Sequence, residues 1–229
     1  MSPHFLYRAS GMALLVGSIS GLLWTLVSAF IVPLVTPDPY GSQIFLIASL
    51  LLLIAAILIS PGLVGLYVSQ YARVGWLGFA GFVLLFIGTL LLGVGFGFIS
   101  TAVLPWITTH ASELLVGSLP PLLYFFAVAG ALLIVLGAIA LGIAMILAKN
   151  RPLRPALALV LAGVAGLLGL LPLPISKNVP AILSAVLLFV GLGWSGYILW
   201  KEADPVVETM AADVVEAAPQ PVEVEAPES

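Results

Sequence analysis

Two side chains that could act together chemically, His110 and Glu113, lie three residues apart in the polar stretch 105–120. At that spacing they would share one face of a helix. A protein metal site needs three or four ligands, and the only other histidine is His4, near the N-terminus. The pattern therefore favours a polar surface pair, with an acid–base pair as the alternative.

A glycine-rich stretch, Gly93-Val94-Gly95-Phe96-Gly97, is the second candidate for chemistry. Potassium-selective pores use similar loops, whose backbone carbonyls line the ion path. Here the preceding threonine and a separate pore helix are missing, and the stretch lies inside an apolar run long enough for one continuous helix. Close helix packing and a flexible point are therefore the favoured interpretation.

Ionisable side chains are missing from the middle of every long apolar run, and the chain has no cysteine. Buried ionisable groups usually mark proton relays and ion paths in membranes, so their absence argues against proton-coupled pumps, voltage sensors, retinal pigments and bis-histidine haem proteins. It also weakens the case for an intramembrane hydrolase, and we expect neither enzymatic activity nor a cofactor. Hydroxyls remain, and we expect them to bond within their own helix or to a neighbour, with a polar lining for an uncharged solute as the alternative. They are Ser20, Thr25, Ser49, Thr89 and Ser184.

The composition indicates which elements must carry these side chains. Of 229 residues, 62% are hydrophobic and 7% are charged, whereas soluble domains have roughly 25% charged residues. Runs of about 20 apolar residues match a bilayer core of about 30 Å, and their lack of alternation argues against a transmembrane barrel. The predicted fold is all-α: a polytopic transmembrane helix bundle with six transmembrane helices, occupying residues 1–200. The runs are about 9–35, 43–59 (ending at Pro61, with 62–68 reaching the interface), 76–104 (ending at Pro105), 121–148, 155–171 and 181–200.

Cations in the short connections predict the orientation, because Lys and Arg accumulate on the cytoplasmic side. With six helices, one side receives Arg8, Arg73, Lys149, Arg151, Arg154 and Lys201. The other side receives Lys177 alone, so both termini are predicted in the cytoplasm. A five-helix count, in which the short fifth run is lost, would send the C-terminal segment outside, against this charge distribution.

The C-terminal segment 201–229 is predicted to be a disordered acidic tail in the cytoplasm. It is rich in acids, prolines and alanines and has no aromatic residue, so it cannot bury enough surface to become ordered. The alternative is a docking tail for a basic partner. No basic domain suited to nucleic acid is present.

Small residues recur every four or seven positions and so form stripes on single helix faces. Such faces let helices approach closely in lipid, and we interpret them as packing faces within the bundle. A homo-oligomer or a membrane-protein partner bound through the same faces is the alternative. The predicted packing glycines are Gly17, Gly21, Gly81, Gly88, Gly95, Gly130 and Gly137.

The stretch 62–78, with the pattern G-L-x-G-L-Y-x-x-Q-x-x-x-x-G-W-L-G and followed by F-V-L-L-F-I-G, resembles a group of uncharacterised bacterial integral membrane proteins. GMALLVGSISGLLW near the N-terminus and LLFVGLGWSGYILWK before the tail resemble the ends of the same group. The resemblance implies a multi-helix fold in the bacterial inner membrane. It implies no assigned activity and no functional residue.

These observations together predict a non-enzymatic membrane protein whose surroundings are the lipid bilayer. The favoured function is a scaffold or subunit of a membrane complex. The alternative is a transporter or permeation path for a small uncharged or lipophilic solute.

Overall fold

A computed structural model describes residues 3–35, 42–110, 121–148, 153–171 and 178–202. Almost all of these residues are helical, and none of them forms a strand. Six of the helices are long and apolar enough to cross a membrane, which confirms the all-α, six-helix prediction.

Each of the six predicted runs corresponds to one long helix. The fourth to sixth helices are α4 (Pro121–Leu147), α5 (Leu153–Leu170) and α6 (Asn178–Glu202). The second is α2 (Gln43–Val68), whose first turn is capped by the Ser42 hydroxyl accepting a bond from the Phe45 N–H. The first and third helices change their winding along their length, as follows. α1 begins as Pro3–Leu26 and continues through a π-helical segment, Val27–Ile31, to Val32–Val35.

α3 begins as the α-helical segment Tyr71–Gly88. It continues through two π-helical segments, Thr89–Phe96 and Ile99–Val103, and ends with the α-helical segment Leu104–His110.

Two helix ends predicted at prolines are wrong. α2 does not end at Pro61 but continues to Val68, and α3 does not end at Pro105 but reaches His110. A proline removes one backbone donor, and in a membrane bundle neighbouring helices and local changes of winding compensate for that loss. Pro105 follows a π-helical segment, where the backbone bonding already changes.

The third helix is longer than a bilayer requires. Its 40 residues, Tyr71–His110, would measure about 60 Å if straight, against a hydrocarbon core of about 30 Å. It starts with a sharp bend at Gly75, whose φ of 58° is strained for any residue with a side chain. This bend separates the first turn, beside the Ser69–Gln70 connection, from the rest of α3.

The six helices form a closed ring in which consecutive helices run antiparallel. Each helix contacts its neighbours in the chain most extensively, and α6 returns to contact α1. Side chains from all six helices fill the centre, and Leu14, Leu63, Leu85 and Leu159 are each 0% exposed there. Large apolar side chains cover the exterior, as lipid contact requires.

The boundary of the predicted tail shifts slightly. Lys201 and Glu202 belong to the last turn of α6 rather than to the tail. The rest of the tail, residues 203–229, lies outside the described residues.

Candidate functional site

The contact between α3 and α4, called here the α3–α4 seam, depends on glycines from both helices. A Cβ on Gly88 would lie 2.7 Å from the Ile134 backbone nitrogen and 2.9 Å from the Gly130 carbonyl oxygen. Gly137 likewise lies directly against the backbone of Leu85, and Gly81 against that of Leu141. The two backbones approach so closely that only glycine fits at these positions. Four of the predicted packing glycines therefore meet in one seam.

Gly17 and Gly21 lie one turn apart on α1, yet they contact different helices. A Cβ on Gly17 would lie 2.9 Å from the Ile59 Cγ1 atom of α2. Gly21 instead leaves room for the ring of Phe189 on α6, which also makes an edge contact with Trp24 at 6.5 Å between ring centres. A single stripe on α1 thus supports two helix contacts.

Gly95 differs from the other six predicted packing glycines. The nearest atom to a Cβ built on it is the Leu90 carbonyl oxygen of its own helix, at 3.6 Å. Gly95 therefore does not support a close helix contact within this chain. It lines an apolar groove of about 240 Å³ between α3 and the start of α4.

Sequence reasoning missed several close-contact glycines. Gly62 and Gly65, assigned to an interfacial extension, press α2 against Leu14 and Ser10 of α1. Gly142 and Gly163 lie in the contact between α4 and α5, and Gly191 lies in the contact between α5 and α6. Gly11 and Gly196 lie in the contact between α6 and α1. The spacing of three between Gly62 and Gly65 was a readable signal for a shared face.

The contact between α2 and α3, called here the α2–α3 seam, combines π-helical backbone with small residues. Gly93 lies against the Ala56 Cβ atom, and a Cβ on Gly97 would lie 3.4 Å from the Leu53 Cα atom. Gly93 lies within the π-helical segment Thr89–Phe96, and Gly97 follows it directly. π-helical turns are uncommon and are frequent at functional sites.

Hydroxyls flank these small residues on both helices of the α2–α3 seam. Ser60 donates to the Ala56 carbonyl at 2.8 Å, and Thr89 donates to the Leu85 carbonyl at 2.7 Å. The antiparallel register continues toward Ser100 on α3 and Ser49 on α2, which are 2% and 3% exposed. Within the described part of the chain, the Ser100 hydroxyl has no hydrogen-bond partner. The α2–α3 seam therefore contains an unsatisfied polar atom in an apolar bundle, which costs free energy.

The five mid-run hydroxyls predicted from the sequence occupy several environments. Thr25 and Thr89 bond back to carbonyls of their own helices, Gly21 and Leu85. Ser184 instead crosses from α6 to donate to the Ala162 carbonyl of α5 at 2.7 Å. Of the other two, Ser49 is buried and Ser20 is half-buried.

The charged residues whose side chains the structure describes are all exposed: Arg8, Arg73, Arg154, Lys201 and Glu202. His110 is also exposed and stacks on Trp106 with 5.1 Å between ring centres. Its predicted companion, Glu113, lies outside the described residues. Among the residues that the structure does describe, no three potential ligands are grouped closely enough to hold a metal ion.

A second apolar groove, of about 270 Å³, lies between α1 and α6 on the outside of the bundle. Leu15 and Leu22 of α1 form one wall, while Trp194 and Tyr197 of α6 form the other. The Ser18 hydroxyl in its lining already donates to the Leu14 carbonyl at 2.7 Å, and Trp194 and Tyr197 add an indole N–H and a phenol hydroxyl. The rest of the groove offers a hydrocarbon surface.

Comparison with protein-family models, with curated proteins and with solved structures finds no match for this chain.

Proposed function

We propose that this protein is a non-enzymatic integral membrane scaffold or a subunit of a membrane complex. The observation that supports it best is the packing of the ring centre. Leucines from four helices are fully buried there, and glycines bring neighbouring backbones into direct contact. Close packing of this kind leaves few voids that water could fill, as a structural component requires.

We further propose that the protein lies in a bacterial inner membrane with both termini in the cytoplasm. In an antiparallel ring, the starts of α1, α3 and α5 and the end of α6 lie at the same end of the bundle. The four described cations, Arg8, Arg73, Arg154 and Lys201, all lie near that end. This distribution supports the cytoplasmic assignment. The resemblance to uncharacterised bacterial membrane proteins supports the choice of membrane.

Assembly with a second copy or with another membrane protein is part of this proposal. Six of the seven predicted packing glycines are already used within the chain. Gly95 is the one that remains open toward the outside of the bundle, in the apolar groove between α3 and the start of α4. A partner that uses a small-residue face would therefore meet the chain there.

Transport of a small uncharged or lipophilic solute is the second candidate function. The observation that favours it is the α2–α3 seam, where π-helical backbone, glycines and the unpartnered Ser100 hydroxyl occur together. A seam of this kind could open with less loss of packing than the α3–α4 seam. A solute with one or two polar groups would satisfy the buried hydroxyl.

Cysteine labelling distinguishes the two functions, because the natural chain has no cysteine. Single cysteines replace Ser49 and Ser100 in the α2–α3 seam and Ser18 in the α1–α6 contact. Each variant is exposed to a membrane-impermeant thiol reagent in intact cells and in opened cells. Ser69→Cys reports the cytoplasmic side, and Ser112→Cys, outside the described residues, reports the other side.

A scaffold predicts that all three buried cysteines stay unlabelled while the two controls react, each from its own side. Labelling of the Ser49 and Ser100 positions without labelling at Ser18 would contradict the scaffold function and support the transporter function. Labelling at Ser18 as well would contradict both functions, because water would then reach the whole bundle. Ser69→Cys reacting in intact cells would contradict the proposed orientation.

A further inference from the structure

The α1–α6 groove has the shape and chemistry of a site for hydrocarbon. It runs from Leu15 to Leu22 along α1, about 10 Å of helix. Its polar groups are the Ser18 hydroxyl, which is satisfied by its own helix, and the polar ends of Trp194 and Tyr197. Most of the surface that an occupant meets is therefore hydrocarbon.

A cation lies beside one wall of this groove. Arg154, the second residue of α5, holds its guanidinium carbon 5.8 Å from the ring centre of Trp194. Trp194 also lines the groove, with 41% of its surface exposed. The indole thus contacts the cation and the hydrocarbon surface together, and a cation–π contact of this kind restrains the guanidinium.

The sequence around Arg154 is positively charged, and the acids of the C-terminal segment begin only at Glu202. Lys149 and Arg151 precede Arg154 in the connection between α4 and α5. No acidic residue lies between Glu113 and Glu202. Tyr197, a typical interfacial residue, lies one turn from Trp194 and is 47% exposed. Arg154, Trp194 and Tyr197 therefore lie toward the end of the groove nearer the membrane surface, while Phe189 lines the other end.

We propose that the α1–α6 groove and Arg154 form a binding site for one anionic phospholipid. An acyl chain lies in the groove between Leu15 and Leu22, and the phosphate of the headgroup pairs with the Arg154 guanidinium. Arginine suits this role, because its planar fork can donate two bonds to one phosphate. Basic sites between membrane helices bind anionic headgroups in the same way. A lipid site of this kind depends on the chain being a membrane protein. It does not depend on whether the chain acts as a scaffold or as a transporter.

Lipid titration of the purified full-length protein tests the proposal. Native mass spectrometry in detergent measures the binding of phosphatidylglycerol and of phosphatidylcholine with matched acyl chains. The wild-type chain is expected to prefer phosphatidylglycerol. Arg154→Gln should weaken phosphatidylglycerol binding about fivefold, the contribution typical of one cation near a lipid headgroup, and weaken phosphatidylcholine binding less, because the choline cation already offsets the phosphate of that lipid. The matched control, Arg73→Gln, removes an exposed cation from the same end of the bundle and should change neither lipid.

A second variant tests the groove itself. Val190, which lines the groove and is 39% exposed, is changed to Trp, so that the added ring occupies the space of the acyl chain. Binding of both lipids should then fall several-fold, whereas Ile57→Trp on the exposed face of α2 should have no effect. An unchanged phosphatidylglycerol preference in Arg154→Gln, or an equal loss in Arg73→Gln, would overturn the headgroup assignment. Unchanged binding in Val190→Trp would overturn the groove assignment.

Fluorescence supplies a measurement that uses neither Arg154→Gln nor Val190→Trp. Phosphatidylglycerol with brominated acyl chains quenches tryptophan when an acyl chain touches the ring. The quenchable signal of the wild-type chain should exceed that of Trp194→Phe, and brominated phosphatidylcholine should produce a smaller difference. Equal quenching in the two proteins would show that no acyl chain contacts Trp194 and would overturn the proposal.

Discussion

The two halves of α3 pack by different means. The first half, Tyr71–Gly88, is α-helical and meets α4 at the α3–α4 seam, where glycines lie directly against the facing backbone. The second half is largely π-helical and meets α2 as well as α4. At the α2–α3 seam, Gly93 lies against the Ala56 side chain and Gly97 leaves ordinary van der Waals distances. Hydroxyls lie beside the α2–α3 seam, and one of them has no partner among the described residues. One helix therefore combines a contact against facing backbone with a contact against side chains, which can shift more cheaply.

The largest expected effect belongs to Gly88→Leu in the α3–α4 seam. The new side chain would meet the backbone of Ile134 and Gly130, which cannot move aside cheaply. Overpacking of this kind costs about 3 kcal/mol, and we expect a large loss of thermal stability in detergent.

Gly95→Leu is the matched control, because Gly95 lies seven residues further along α3 and no described atom of another helix lies within 4 Å of a Cβ built on it. We expect its stability to change by less than about 0.5 kcal/mol. If the two variants unfold at the same temperature, the α3–α4 seam does not depend on the absence of a side chain at Gly88.

The next effect is expected from Gly93→Ala in the α2–α3 seam. The added methyl group would overlap the Ala56 side chain and cost about 1–3 kcal/mol. Because the obstacle is a single Cβ atom, the second change Ala56→Gly should restore part of the stability. A double variant no more stable than Gly93→Ala would show that the two residues are not in contact. Thermal unfolding of the two single variants and the double variant supplies the measurement.

A smaller effect is expected from Ser184→Ala. This change removes the bond from α6 to the Ala162 carbonyl of α5 and should cost about 1 kcal/mol, since membrane hydrogen bonds between helices have values of that order. Ser100→Ala is its counterpart, because that hydroxyl has no partner among the described residues. We expect Ser100→Ala to be neutral or stabilising. Comparable destabilisation by the two changes would mean that Ser100 makes a bond of its own.

The smallest effect is expected from Gly97→Ala. A Cβ at this position would lie 3.4 Å from Leu53, within ordinary contact distance. Replacing a helical glycine by alanine gains about 0.5 kcal/mol by reducing the freedom of the unfolded chain. A small rise in the unfolding temperature is the expected result. A fall would indicate that the α2–α3 seam is as tight as the α3–α4 seam, and the contrast between the halves of α3 would disappear.

Much of the fold could be predicted from the sequence, because a run of about 20 apolar residues needs no partner to be recognised as a membrane span. All six predicted runs correspond to long helices. The errors lie at prolines: Pro61 is inside α2, and Pro105 is inside the continuous third helix. Sequence rules treat a proline as a helix end, but neighbouring helices compensate for its missing donor.

The packing residues were predictable only in part. Spacing identified Gly81, Gly88, Gly130 and Gly137 as members of helix faces, but not that all four meet in one seam. The same rule selected Gly95, which no helix covers, and passed over Gly62 and Gly65. Periodicity reports which residues share a face and contains no information about which helix faces it.

The sequence by itself determined the all-α class, the six apolar helices and the lack of ionisable side chains in the middle of the long runs. These properties follow from residue type along a single segment, because burial of apolar surface is local and has no direction. Only the tertiary structure decided that α6 closes the ring against α1, that Ser100 lacks a partner among the described residues and that Arg154 lies on Trp194. Contacts between helices in lipid depend on steric fit between segments far apart in the chain, since lipid provides no hydrophobic drive for helices to associate.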